Sequence, residues 1–212
     1  MKDYQDKFIR IALKSEALIF GDFTLKSGRN SPYFFNAAKM LNTKFLADLS
    51  ECYTKTLQEL DVSFDSIYGP AYKGIFLASI IGTSFGESDL DIPISFNRKE
   101  EKDHGEGGDI IGQLPSGNVL IVDDVISAGT AARESIEKIK SIGANPKVML
   151  VGLDRQEKGS SEISAKAELE NDFGLTVSSI VNLDLLISFV SDDPNFKEFK
   201  SDLEEYRSNW GA

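Results

Sequence analysis

From residue 66 onward, short runs of apolar, mostly β-branched residues alternate with longer segments in which apolar residues recur every three or four positions. The short runs predict strands, and the longer segments predict amphipathic helices with one buried face. Strand–helix alternation of this kind is typical of an α/β fold with a parallel sheet covered by helices on both faces. The predicted strands are 66–68, 92–96, 119–122, 148–153 and 176–181, and the predicted helices are 74–85, one ending at 142, 163–173 and two short ones from 183 and 194.

The first sixty residues do not follow this rhythm. Residues 3–19 keep the helical spacing of apolar side chains and predict an amphipathic opening helix. Two short β-like segments follow at 20–25 and 33–37. A second helix is predicted to begin at a cap formed by Asn42 or Thr43. This part of the chain therefore predicts a small subsidiary unit beside the sheet.

Charge and composition narrow the classes of function. The formal net charge of −11 disfavours a nucleic-acid-binding surface, because such a surface needs a basic face. The single cysteine, Cys52, excludes an internal disulfide, and its apolar helical neighbours predict a buried thiol. One cysteine and one histidine cannot build a zinc site of the usual kind. With no signal-peptide pattern and no uncharged apolar run of membrane-spanning length, the sequence predicts a cytoplasmic protein that binds neither nucleic acid nor membrane.

The segment 119–135 carries the most specific chemistry in the chain. Residues 119–122 predict a buried strand that leads into the adjacent carboxylates Asp123 and Asp124, a small-residue turn over 127–130 and the start of a helix. N–H groups at a helix N-terminus attract anions, and carboxylates accept hydrogen bonds from sugar hydroxyls. The segment therefore favours a phosphate-sugar site at the carboxyl end of a strand, where open α/β sheets bind ligands. A simple capped turn is the alternative.

Several segments together resemble one known family. The segment 121–131, Ile-Val-Asp-Asp-Val-Ile-Ser-Ala-Gly-Thr-Ala, is similar to the phosphoribosyl-pyrophosphate (PRPP) signature of type I phosphoribosyltransferases. Segments 23–36, 97–108 and 153–157 narrow the resemblance to the orotate phosphoribosyltransferases of the bacterial type, collinearly over nearly the whole chain. The resemblance implies that family's fold, a mostly parallel sheet flanked by helices. It implies a single domain over 1–212, with a small N-terminal hood within about 1–60, a PRPP-binding core over about 61–190 and a flexible lid loop over about 97–118.

The resemblance also implies which residues hold PRPP. Asp124, and secondarily Asp123, would stabilise the positive charge that develops at the anomeric carbon as pyrophosphate leaves. The turn would bind the 5′-phosphate through main-chain N–H groups and the hydroxyls of Ser127 and Thr130. Family members commonly carry threonine where this chain has Ser127, so we expect retained binding in a slightly looser turn. The predicted PRPP-binding residues are Lys26, Tyr72, Lys73, Arg98, Lys99, Lys102, His104, Asp123, Asp124, Val125, Ile126, Ser127, Ala128, Gly129, Thr130 and Ala131.

A second anion nest is predicted between a strand and a helix, over Gly69-Pro-Ala-Tyr-Lys-Gly74. Lys73 would meet the pyrophosphate there, and Tyr72 would line it. From the residues alone, a plain turn with an exposed lysine is equally compatible. Family likeness favours the functional interpretation and suggests a strained or cis peptide bond in this segment.

The long glycine-containing loop over 97–118 gathers cations that could meet pyrophosphate, namely Arg98, Lys99, Lys102 and His104. Acidic residues are interspersed, so a solvated mixed-charge loop is an equal alternative on charge alone. In similar enzymes this loop closes over the active site of the neighbouring subunit. The resemblance therefore implies a homodimer in which Lys102 is a catalytic residue supplied in trans. It also implies Mg²⁺ as cofactor, held mainly through PRPP and pyrophosphate, with no metal-binding residues assigned in the protein.

The same resemblance implies the residues that meet orotate, a flat anionic pyrimidine with a carboxylate. Arg155, on the loop after a strand end, would hold that carboxylate, since arginine suits bidentate carboxylate recognition. Lys26 would lie between the base and PRPP, and Ser127 would contact the base as well. Phe34 and Phe35 are adjacent, so one side chain points inward while the main chain of the other can bond the ring edge. Without the family likeness, both are ordinary core aromatics.

The implied activity joins orotate to PRPP, releasing pyrophosphate and giving orotidine 5′-monophosphate for pyrimidine synthesis. Two alternatives stay open. A purine phosphoribosyltransferase shares the PRPP segment but gives no reason for Lys26, Phe34, Phe35 and Arg155 to occur together. A non-catalytic PRPP-sensing regulator that binds nucleic acid is disfavoured by the net charge of −11 and by the lysine-bearing loop.

Overall fold

Helices and strands alternate along the computed structural model, which describes residues 1–25, 28–86, 90–98 and 109–212. Two 3-10 turns, Ala37–Met40 and Lys197–Phe199, lie among the described elements. The α-helices and strands are α1 (Asp3–Lys14), β1 (Leu18–Thr24), β2 (Asn30–Phe35), α2 (Thr43–Leu60), β3 (Ser66–Tyr68), α3 (Lys73–Gly86), β4 (Ile94–Asn97), β5 (Ile110–Gly112), β6 (Asn118–Ile126), α4 (Thr130–Ser141), β7 (Asn145–Asp154), α5 (Ala165–Phe173), β8 (Thr176–Asn182), α6 (Leu183–Asp192) and α7 (Lys200–Trp210).

The central sheet has six described strands in the order β5-β4-β3-β6-β7-β8. Four of its five strand pairs are parallel, and β4 with β5 is antiparallel. This confirms the predicted mostly parallel α/β sheet. Because β6 lies in the middle with β3 and β7 on either side, its carboxyl end is flanked by the ends of two neighbouring strands.

Helices cover both faces of the sheet, because apolar side chains of the strands point alternately to either side. Leu120 and Val122 of β6 belong to the cluster shared with α1, α2 and α3. Val119 and Ile121 of the same strand belong to the cluster shared with α4 and α5. Side chains at neighbouring positions on β6 therefore reach opposite layers of the protein.

The opening helix is shorter than predicted. It ends at Lys14, and Leu18 and Ile19, expected at its end, start β1. Glu16 has a positive φ of 56°, which turns the chain before the strand. Strand β1 pairs antiparallel with β2 as a separate two-stranded sheet, with Leu18 opposite Phe35. The predicted cap of the next helix is confirmed, since the Asn42 side chain accepts a hydrogen bond from the Lys44 amide at 3.0 Å.

Strand β5 was missed by the sequence pattern. It lies within the segment 97–118, predicted as a loop, and pairs with β4 through Ile110 opposite Asn97. Cys52 is a buried free thiol, as predicted. Among the described helices, none combines the length and the apolar composition that crossing a bilayer requires.

Candidate active site

The two adjacent carboxylates lie within strand β6, so the expectation that they follow the strand was wrong. Pairing with β7 continues past them, with Asp123 opposite Val151 and Ile126 opposite Asp154. Cross-strand pairing thus overrides the low strand propensity of aspartate. Since side chains alternate along a strand, the carboxylates leave β6 on opposite faces. The Asp123 side chain turns back to accept a hydrogen bond from the Asp124 amide at 2.8 Å.

Asp124 is buried, at 5% exposure, and forms an ion pair with Lys73, with 2.6 Å between Oδ2 and Nζ. Lys73 is the first residue of α3, so the helix start and the strand end bring opposite charges together. The first turn of α3 passes close to β6. A Cβ on Gly74 would lie 2.7 Å from the carbonyl oxygen of Val122, which only glycine avoids. The peptide bond between Ala71 and Tyr72 is cis.

Burial, and then the negative charge of Asp124, raise the pKa of Asp123 to about 7. A carboxyl whose pKa is higher in the folded than in the unfolded protein takes up a proton on folding. Its contribution to stability is therefore full below the unfolded value near 3.8 and is lost as pH rises through about 7. The site strand thus carries a group that opposes folding most at neutral to alkaline pH.

Asp123→Asn should remove this pH dependence, because an amide stays neutral. We expect the difference in melting temperature between variant and wild type to shift in favour of the variant from pH 5 to pH 8. Thermal unfolding followed by circular dichroism at both pH values measures the shift. A difference that is constant across the range would show that the Asp123 pKa is not raised.

The turn after β6 has the geometry of an anion site. Gly129 is the N-cap of α4 with a φ of 82°, a left-handed conformation that favours glycine, and it is buried. Ser127, Ala128, Thr130 and Ala131 are exposed around it. The N–H groups of the first helical turn have no partners within the helix and can bind an anion. Val125 and Ile126, also predicted for PRPP, have half-buried and buried side chains, which leaves their main chain to contact a ligand.

Arg155 follows the end of β7 and lies beside this turn. Its amide donates to the Ile126 carbonyl at 3.1 Å, directly before Ser127. Arg155 is only 4% exposed, and its Nε donates to Glu157 Oε1 at 2.5 Å. Burial alone would lower the pKa of Arg155, but its electrostatic interactions with Tyr33, Glu157 and Tyr206 raise that pKa above its usual value. Arg155 is therefore a permanent buried cation next to the predicted phosphate turn.

Phe34 and Phe35 point to opposite faces of β2, as the alternation predicted. Phe35 is buried against Phe8, with ring centroids 6.3 Å apart. Phe34 is 40% exposed and packs on Phe23, on the face away from Tyr33, whose ring lies under the Arg155 guanidinium. A base bound beside Arg155 would therefore meet the main chain of Phe34 and not its ring.

The remaining predicted residues divide into two groups. Tyr72 is 69% exposed at the surface of the loop before α3. Arg98 follows β4, and its Nε is buried with no hydrogen-bond partner among the described residues. The others lie outside the described residues, so their predicted roles remain predictions: Lys26, Lys99, Lys102 and His104.

Sequence reasoning missed three groups that hold the site. The Tyr53 hydroxyl donates to the Asp123 carbonyl at 3.0 Å and fixes β6 against α2. Glu157 and Tyr206 bind the Arg155 side chain. Glu157 lies in the segment 153–157 that carried part of the family resemblance, so it could have been found there. Nothing in the local sequence around Tyr206 or Tyr53 pointed to a role.

Comparison with known proteins agrees with this geometry. The family model for the phosphoribosyl transferase domain matches residues 38–168. The chain is 47% identical to the orotate phosphoribosyltransferase of Marinobacter nauticus and 49% identical to that of Pseudomonas savastanoi, covering 100% of both chains in each case. It is also similar to the crystal structure of orotate phosphoribosyltransferase from Francisella tularensis, with 37% identity, a TM-score of 0.83, and coverage of 97% of this chain and 100% of that chain.

Proposed function

The chain belongs to the orotate phosphoribosyltransferases, and from this membership we propose that it transfers the ribose 5-phosphate of PRPP to orotate. The products are orotidine 5′-monophosphate and pyrophosphate. The observation that carries the proposal is the hydrogen bond between the Arg155 amide and the Ile126 carbonyl. It holds a cation for an anionic base directly beside the turn suited to a sugar phosphate. Purine bases lack a carboxylate and give no use for that cation.

Catalysis in this proposal is electrostatic. As pyrophosphate leaves, the anomeric carbon of the ribose gains positive charge, and a nearby carboxylate stabilises that charge more than it stabilises the ground state. We assign this role to Asp124, which lies near the carboxyl end of the central strand. Lys73, whose Nζ lies 2.6 Å from Asp124 Oδ2, offsets the charge of Asp124 before substrate binds and would meet the departing pyrophosphate. A ring nitrogen of orotate is the nucleophile, so no protein nucleophile is required.

We propose Mg²⁺ as the cofactor, with most of its ligands supplied by PRPP and pyrophosphate. Among the described residues, no group of three His, Cys, Asp or Glu side chains is placed to hold a metal ion. Mg²⁺ commonly binds through one or two carboxylates together with substrate phosphates and water. Asp123 and Asp124 are the carboxylates that would meet it. Bound there, the ion would neutralise charge on the leaving group.

The proposal is tested by the loss of orotate ultraviolet absorbance when PRPP and Mg²⁺ are added to the protein. Adenine, guanine and hypoxanthine serve as alternative bases in parallel reactions. We expect turnover with orotate and with none of the three purine bases. We expect no turnover of orotate when EDTA replaces Mg²⁺. Turnover of a purine base in place of orotate, or binding of RNA or DNA without any turnover, would contradict the proposal.

We further propose a homodimer in which Lys102, outside the described residues, completes the site of the neighbouring subunit. Inactive Lys102→Ala and Asp124→Asn subunits should then regain activity when unfolded together and refolded. Random pairing makes half of the dimers hybrid, each with one intact site, so roughly a quarter of wild-type activity is expected. A mixture of Lys73→Ala and Asp124→Asn is the control, since those residues share one subunit's site. Equal activity in both mixtures would contradict supply in trans.

A further inference from the structure

We infer that Glu157 and Tyr206 are positioning residues that aim one edge of the Arg155 guanidinium at the carboxylate of the substrate base. The inference deepens the proposed function and rests on it. It also gives α7 a role in base recognition, because α7 contributes Tyr206. Tyr206 lies 49 residues beyond Glu157 in the sequence.

The hydrogen bonds of Arg155 occupy one side of its planar group. Nε donates to Glu157 at 2.5 Å, and Nη2 donates to the Tyr206 hydroxyl and to Ser31 Oγ, both at 2.8 Å. A guanidinium has five N–H donors, so these bonds use Nε and both donors of Nη2. To the described residues Arg155 makes no further hydrogen bond, which leaves the two donors of Nη1 for a ligand.

Aromatic rings fix the plane of this cation. The Arg155 guanidinium lies 4.1 Å from the centroid of the Tyr33 ring and 5.4 Å from that of Tyr206. Those rings contact each other edge to face, 5.9 Å apart. The Tyr206 hydroxyl also donates to Glu157, which closes a triangle of hydrogen bonds among Arg155, Glu157 and Tyr206. Rotation of the guanidinium would break several of these contacts at once.

The cluster holds one more positive charge than negative charge. Glu157, 2% exposed, is shared by Arg155 and by Arg29, whose Nη1 lies 2.7 Å from Oε2. Two arginines therefore share one carboxylate, which gives the Arg29–Glu157–Arg155 group itself a charge of +1 in a chain whose net charge is −11. The surplus charge is matched when an anionic base binds.

The end of the chain holds this cluster in place. The Lys158 amide donates to the Trp210 carbonyl at 3.0 Å, and the Ala212 amide donates to the Gln156 carbonyl at 3.1 Å. The Trp210 ring lies 5.0 Å from the Arg29 guanidinium. Residues 210–212 therefore clamp the segment that carries Glu157, while Tyr206 of α7 contacts Arg155 directly.

Tyr206→Phe tests the inference, because it removes the hydroxyl that binds Arg155 and Glu157 and keeps the ring. Calorimetry would measure the Kd of orotidine 5′-monophosphate and of uridine 5′-monophosphate, which differ only in the base carboxylate. We expect the Kd of the first to rise roughly 10-fold, as for one lost hydrogen bond to a charged group. The Kd of the second should stay within about 2-fold.

Tyr4→Phe is the matched control. Tyr4 lies on α1, away from the site, and its hydroxyl donates to Glu59 at 2.6 Å. It should leave both Kd values unchanged. Equal weakening of both nucleotides by Tyr206→Phe, or no weakening of either, would overturn the inference. Failure of the proposed function can be told apart from failure of this inference. In the first case the wild-type protein would show no orotate turnover, and the comparison of the two nucleotides would still decide the role of Tyr206.

Discussion

Asp124→Asn is expected to lower kcat by roughly 10²–10³-fold, the usual loss when one preorganised electrostatic group is removed from an active site. The amide keeps the shape of the side chain but cannot offset positive charge at the anomeric carbon. Folding should survive, because Lys73 is partly exposed and water can solvate it once its partner is neutral. Steady-state rates with saturating orotate and PRPP, together with the melting temperature, measure both expectations.

Asp65→Asn is the control for this substitution. The Asp65 carboxylate accepts a hydrogen bond from the Asn118 amide at 2.7 Å, at the opposite end of β6. The exchange therefore changes a contact made by the same strand, far from the site, and kcat should not change. If Asp124→Asn retained a kcat within about 3-fold of wild type, the assignment of Asp124 to charge stabilisation would be wrong.

Arg155→Lys is expected to raise the KM for orotate by roughly 10- to 100-fold and to leave the KM for PRPP within about 2-fold of wild type. A hydrogen bond to a charged group contributes about 1.5–3 kcal/mol, and lysine cannot reproduce the planar fork of arginine. Lysine is preferred to alanine here because alanine would leave the buried Glu157 with Arg29 alone. Losing one partner of a buried ion pair costs about 3–5 kcal/mol, which would confuse folding with binding.

Arg10→Lys gives a matched control, because Arg10 also pairs with a carboxylate and an aromatic ring. Arg10 lies on α1, with its Nε 2.7 Å from Asp6 and its guanidinium 5.2 Å from the centroid of the Phe189 ring. Both KM values should stay at the wild-type level in this variant. An Arg155→Lys protein in which the two KM values rise together would contradict the division between a base-binding arginine and a phosphate-binding turn.

The elements with a regular apolar period could be predicted from the sequence because one buried face repeats within each of them. Strand β3 was predicted correctly, and so was the cap of α2, which follows from the side-chain oxygen of Asn42. The boundaries that failed depend on partners far along the chain. Leu18 fits a helical period, yet it pairs with Phe35 in the hairpin. Strand β6 extends through two aspartates because β7 continues beside them.

The candidate site shows the same division. The carboxylates, the phosphate turn and Arg155 lie at or near the carboxyl ends of strands. A predicted parallel sheet therefore places all of them at the same edge of the sheet. The supporting contacts could not be predicted, because they join Arg155 to Ser31 and Tyr206, 124 and 51 residues away. No periodicity within one element encodes such a contact. The roles of individual residues toward PRPP and orotate stay predictions until the substitutions above are measured.

The position of Trp210 has a spectroscopic consequence. It is the only tryptophan in the chain, and its exposed ring packs on Arg29, the residue that shares Glu157 with Arg155. Indole emission excited near the red edge of protein absorption therefore comes from one place, beside Arg29 and Glu157. The fluorescence of the unlabelled protein reports on that corner of the molecule and not on an average over the fold.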